Sequence, residues 1–237
     1  MKQLSLALLL ATTSLFAATD EQIISYFKGQ VPQNINISVT ERTTLKDYNG
    51  FDMVKATLSD GSQSQVVNIF VKDGLMFPDI VDLKSGASMK QTLEQAEVEK
   101  ALGELYKKED PAHIIAIGND KTKKTMVVFS DPECPYCRDE LGNLESRLKE
   151  FNIKFILTSV HDKSALEKSH LIYKEAAKAK TDKAKIEVLR KYFDENAKVS
   201  ESVSEEAVSV MHELRRKYLQ GGLKGVPFII EESALLR

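Results

Sequence analysis

Thr125-Met126-Val127-Val128-Phe129-Ser130-Asp131-Pro132-Glu133-Cys134-Pro135-Tyr136-Cys137 is the stretch on which the reading of this chain turns. Thr125 to Phe129 is a continuous apolar run of the kind found in a strand covered on both faces. Asp139 to Glu150 then carries Leu141, Leu144 and Leu148 at helical spacing, and Ile153-Lys154-Phe155-Ile156-Leu157 reads as another strand. Strand, helix and strand in that order predict a parallel pair with a crossover helix. Cys134-Pro135-Tyr136-Cys137 lies at the join. Cys134 is expected in the helix N-cap region and Pro135 at the first helical position, where a missing N–H costs nothing. The unpaired N–H groups and partial positive charge of a helix N-terminus favour a thiolate at Cys134, the form that attacks disulfides. Cys137, one turn later, is spaced to resolve a mixed disulfide.

These two cysteines are the only ones among the 237 residues. A bridge between them closes a very small ring, so it gives little as a staple and chemistry is the better account. The other reading of such a pair is half a zinc site. That needs two further ligands, and His113, His161, His170 and His212 show no paired spacing. The chain begins with Lys2 and an apolar or small run from Leu4 to Ala18, the pattern of a secretory signal with cleavage after Ala17 or Ala18. The run is shorter than the roughly 20 residues of a spanning helix. Export places the thiols where disulfides persist. A net charge of −2 and a pI near 6.2 give no reason to expect nucleic acid as a partner.

Upstream, residues 20–29 read as a short helix ended by Gly29. Ile35, Ile37 and Val39 alternate. Met53 to Leu58 and Gln65 to Val71 are strand-like runs closed by the turns Ser59-Asp60-Gly61-Ser62 and Lys72-Asp73-Gly74. A small α+β domain with an antiparallel sheet is expected there. Residues 88–112 read as a linker helix stopped by Pro111. The second domain starts near His113 with the strand Ile114-Ile115-Ala116-Ile117. Residues 162–220 form a largely helical insertion of three helices, with breaks near Lys180-Thr181-Asp182 and Ser200-Glu201-Ser202. Its Lys-rich run from Lys174 to Lys185 reads as a solvated face. After Gly221-Gly222 and Gly225, Val226-Pro227-Phe228-Ile229-Ile230 reads as a strand that begins with a proline.

Phe129 to Cys137 resembles the active-site segment of the periplasmic DsbC/DsbG proteins, with the DsbG branch most similar through its Asp-Pro before Cys-Pro-Tyr-Cys. The resemblance implies an α+β architecture. Residues 1–18 would be a signal peptide, 19–87 a cystatin-like dimerisation domain, 88–112 a linker helix and 113–237 a thioredoxin-like domain with its insertion at 162–220. It further implies a redox-active disulfide Cys134–Cys137 as the reaction centre, with no separate cofactor and no metal. It also implies a cis bond at Val226–Pro227, with Val226 offering its backbone to a substrate strand. A trans proline opening an edge strand is the other reading of Pro227. Isomerases of this family usually carry Thr before that proline, and DsbA-type oxidases often carry Val. Only ten residues follow Pro227, too few for the final strand and covering helix of the fold, so either the chain is shortened or the N-terminal or insertion region covers the gap.

Taken together, the expected protein is a homodimeric periplasmic disulfide isomerase or reductase. It would act on misoxidised exported proteins and be recycled by a membrane redox partner. A dimeric disulfide oxidase and a non-enzymatic holdase chaperone are the alternatives. A first domain that merely stabilises the second is the plainer reading of residues 19–87.

Overall fold

The structure, a computed structural model, describes residues 18–199 and 201–237. Apart from Ala18, the signal segment read at 1–18 lies outside the described residues. Two compact units divide the chain between Glu94 and Gln95.

In the first unit, helix α1 (Asp20–Lys28) starts at a capping box. Thr19 accepts from the Gln22 N–H, and the Gln22 side chain accepts from the Thr19 N–H. Four antiparallel strands follow in the order β1 (Asn36–Leu45), β2 (Phe51–Ser59), β3 (Ser64–Lys72) and β4 (Leu75–Phe77). The β3–β4 turn holds Asp73 and Gly74 at φ 49° and 76°, the mirror-image turn whose twist matches a two-stranded ribbon. One face of the sheet buries Val54, Ile69 and Val71 against Ile23 of α1. The other buries Met53 and Phe70 against Met89. Arg42 of β1 ties the start of α1 to the sheet through Asp20 at 2.6 Å and Asp52 at 2.8 Å.

Helix α2 (Met89–Tyr106) begins in that second cluster, and its later residues, Leu102 and Tyr106, enter the core of the second unit. There a four-stranded sheet has the order β5 (Ile115–Ile117), β7 (Phe151–Leu157), β6 (Lys124–Ser130), β8 (Phe228–Glu231). β6 and β7 run parallel, as the strand–helix–strand order predicts, while β5 and β8 are antiparallel to their neighbours. Helices α3 (Pro135–Gly142) and α4 (Leu144–Leu148) make the crossover. The insertion forms α5 (Lys163–Ala176), α6 (Asp182–Phe193) and α7 (Glu205–Gln220). β6 is central and carries Val127, Val128 and Phe129 at 2% exposure or less.

The ten residues after Pro227 carry the strand read there and one helix that was not. They complete β8 and then form a one-turn helix, α8 (Glu232–Leu235), whose Leu235 is buried. α2 covers this corner. Its Gly103 backbone comes so near that a Cβ there would lie 2.4 Å from the Leu235 carbonyl oxygen. The Tyr106 hydroxyl donates to Glu232, and Lys154 reaches the same carboxylate at 2.6 Å.

Beyond α2, Glu109 is buried with its carboxylate bonded by the Tyr218 hydroxyl at 2.6 Å, the Lys217 ammonium at 2.6 Å, the His113 ring at 3.1 Å and the Asp110 N–H at 3.0 Å. Burial pushes this carboxyl up, but the bonds from His113, Lys217 and Tyr218 outweigh it and hold the group at about 2, against 4.5 ordinarily. Such a depressed group contributes stability above pH 4.5 that is lost as pH falls through about 2.

Glu109→Gln is expected to lower unfolding stability at pH 7 by on the order of 2 kcal/mol, the linkage value discounted for solvent around Lys217. Denaturant melts across pH should show the gap to the parent protein closing between pH 4.5 and 2. Gly103→Ala is expected to cost about 1–3 kcal/mol by overpacking against the Leu235 backbone, read as a lower denaturation midpoint. An unchanged midpoint would contradict that close approach.

Candidate active site

β6 ends at Ser130, and four residues later the chain enters α3 with Cys134 as the N-cap (φ −79°, ψ 123°) and Pro135 in the first turn. The Cys134 N–H donates to the Asp131 carbonyl at 3.2 Å, and the Arg138 N–H donates to the Cys134 carbonyl at 3.1 Å. Both thiols are free. Cys134 keeps 6% of its surface and Cys137, one turn on, keeps 1%. The pair therefore has an outer and an inner sulfur.

Burial drives the Cys137 thiol up to about 12, and the neighbouring Cys134 adds to the rise. Hydrogen bonds from the Ser130 side chain and the Asp131 backbone pull in the opposite direction. The outer sulfur faces the segment before β8. Cys134 Sγ–H donates to the Val226 carbonyl at 3.5 Å, and the Val226–Pro227 bond is cis. Tyr136 is 74% exposed beside the thiols, and Pro135 also faces solvent.

The turn that carries Cys134 is braced by Asp131, whose side chain has no exposed surface. Asp131 Oδ1 accepts from the Glu133 N–H at 2.8 Å. Oδ2 accepts from the N–H groups of Val160 and His161 at 2.7 and 3.0 Å, and Nδ1 of the His161 ring lies 2.7 Å away. The loop after β7 is thus fixed against the motif. Arg215 in turn donates to the His161 carbonyl at 3.0 Å. On the other side of α3, Arg138 Nε donates to the Phe193 carbonyl at 2.7 Å, tying the residue after Cys137 to the end of α6.

Cys134, Cys137, Val226 and Pro227, singled out on the sequence, come together in one place. Asp131, His161, Glu133 and Lys168 were not assigned roles there. Asp131 and Glu133 lie within the quoted motif, but nothing in a lone His161 marks it as a neighbour of that motif. Among the described residues, no three His, Cys, Asp or Glu side chains are grouped as metal ligands.

Residues 110–224 match the family model described as thioredoxin. No curated protein matches the chain. Among solved structures, Helicobacter pylori DsbG is similar at 22% identity and a TM-score of 0.52, over 89% of this chain and 99% of that one. A linker-deletion mutant of Proteus mirabilis ScsC is similar over 60% of this chain and 76% of that one, at 15% identity and a TM-score of 0.44. A disulfide interchange protein from Neisseria gonorrhoeae is similar over 52% and 81%, at 18% identity and a TM-score of 0.38. Residues 110–224 are thus similar to thioredoxin, and the chain has an α+β thioredoxin-like fold similar to that of Helicobacter pylori DsbG.

Proposed function

We propose that the chain is an exported thiol–disulfide oxidoreductase that works as a disulfide isomerase or reductase on misoxidised exported proteins. One observation carries the reading: an outer thiol at a helix N-terminus, 3.5 Å from the Val226 carbonyl, with an inner thiol buried one turn behind it.

The steps balance as follows. The Cys134 thiolate attacks one sulfur of a substrate disulfide. A Cys134–substrate disulfide forms, and the other substrate sulfur leaves as a thiolate. From there, two routes open. The freed substrate thiolate can attack another disulfide of its own chain; the thiolate displaced there then attacks the substrate sulfur bonded to Cys134, forming a new substrate disulfide and releasing the Cys134 thiolate, which is isomerisation with no net electron transfer. Alternatively, Cys137 loses its proton and attacks Cys134 Sγ, which releases the second substrate thiolate. Two electrons then pass to the substrate and leave a Cys134–Cys137 disulfide. A reducing partner, in our reading a membrane protein, must return those electrons. An inner thiol held near 12 is almost wholly protonated at neutral pH, so the second route is slow and the mixed disulfide has time to rearrange. This favours isomerisation over one-way reduction of the substrate. Val226, the residue type of the oxidases in the resemblance, favours the oxidase reading as the second choice. Pairing through the first unit into a homodimer and residence in the periplasm belong to the same proposal, the latter resting on the Lys2–Ala18 pattern.

Cys134→Ala is expected to abolish reduction and reshuffling of a scrambled disulfide substrate while leaving suppression of substrate aggregation unchanged. Retained reshuffling in that variant would sink the enzymatic reading and leave the holdase chaperone. In single-turnover experiments, release of substrate from a Cys134 mixed disulfide should quicken about tenfold per pH unit between roughly pH 7 and 10, because the thiolate fraction of Cys137 grows at that rate below its titration point. A flat profile over that window would rule out Cys137 as the resolving group.

A further inference from the structure

Glu133 precedes the outer cysteine in the chain, and its carboxylate lies 2.9 Å from the ammonium of Lys168. Lys168 comes from α5, in the insertion, and sits on that helix's buried face with Ala165, Ser169 and Ile172. Its side chain is only 8% exposed. Taking a lysine that far out of water is costly, and a buried ion pair commonly holds a fold no better than apolar residues of the same volume. Stability alone does not account for the pair, so its location does. A lone carboxylate one residue from Cys134 would oppose a thiolate there by like-charge repulsion.

We propose that Lys168 is a positioning residue for the reactive centre: its ammonium cancels the Glu133 carboxylate and so leaves the field of the α3 N-terminus free to act on the Cys134 sulfur. The inference rests on the thiol–disulfide reading above and brings a residue of the insertion into that centre. The remaining charges bordering the tetrapeptide are otherwise engaged. Asp131 is taken by His161, Arg138 by the Phe193 carbonyl and Glu195, and Glu140 by Arg147. Asp139 is exposed, where water screens it.

The test is pulsed alkylation of the reduced full chain with iodoacetamide across pH, with Cys134 modification followed by mass spectrometry. Lys168→Met should move the midpoint of the profile up by about one pH unit, since it leaves the carboxylate unpaired in a partly buried site. Glu133→Gln should move it down, because the cation then acts alone. The double variant Glu133→Gln/Lys168→Met should return close to the parent midpoint, and Lys168→Arg should match the parent. Opposite signs for the two single variants are the signature of charge, since a packing defect would move both the same way. Equal-sign shifts, or a Lys168→Met profile that overlays the parent, would overturn the proposal. If Lys168→Met does not fold, an unmoved midpoint in Glu133→Gln overturns it equally. Disulfide exchange by the unaltered protein is scored separately: shifted midpoints with no exchange would remove the enzymatic reading and leave the charge assignment standing.

Discussion

The Asp131 carboxylate is the point on which the turn carrying Cys134 and Cys137 hangs. A carboxylate with no exposed surface is tolerated only when its oxygens are fully bonded, because an unmet charge in that environment costs far more than the fold can spare. Its partners are therefore not optional. They are the N–H groups of Glu133, Val160 and His161 and the His161 ring. These belong to two stretches of chain that leave the parallel strands β6 and β7 side by side. Clamping one stretch to the other fixes the turn before Cys134, and with it the angle at which α3 starts. The helix then presents Cys134 at its N-cap and withdraws Cys137 behind it.

The difference between the two sulfurs follows from that angle. Residue spacing alone makes them neighbours. What separates their chemistry is that one stands at the mouth of the helix and the other under it, against Ser130 and the core. Burial suppresses ionisation of the inner thiol, while the outer one faces a backbone carbonyl that belongs to the far end of the domain. Environment, not spacing, thus sets the two sulfurs apart.

Much of this was legible in the residues. The unbroken run Thr125 to Phe129 identified the central strand, and a proline directly after Cys134 identified the helix start. The Asp-Gly pair at Asp73-Gly74 marked a hairpin, since those positions take positive φ. The closing of the domain after Pro227 was not legible. A four-residue helix has no periodicity to read, and its cover comes from α2, through a Gly103 whose purpose is visible only once Leu235 lies against it. The bonds to His161 were hidden for a different reason: 30 positions separate it from Asp131, and no local pattern spans that distance. Lys168 did leave a trace. It interrupts the stripe Ala165, Ser169, Ile172 on an amphipathic helix, and a charge on an apolar face asks for a buried partner. The reading of the insertion by composition passed over it.

The Val226 carbonyl that meets Cys134 lies 92 positions along the chain from it. A contact that distant is dear in loop-closure entropy. A chain emerging N-terminus first would display its cysteine pair well before the backbone that faces it. The cysteine pair is therefore a product of local sequence, whereas the carbonyl that meets its outer sulfur is delivered only by the closing of the whole domain.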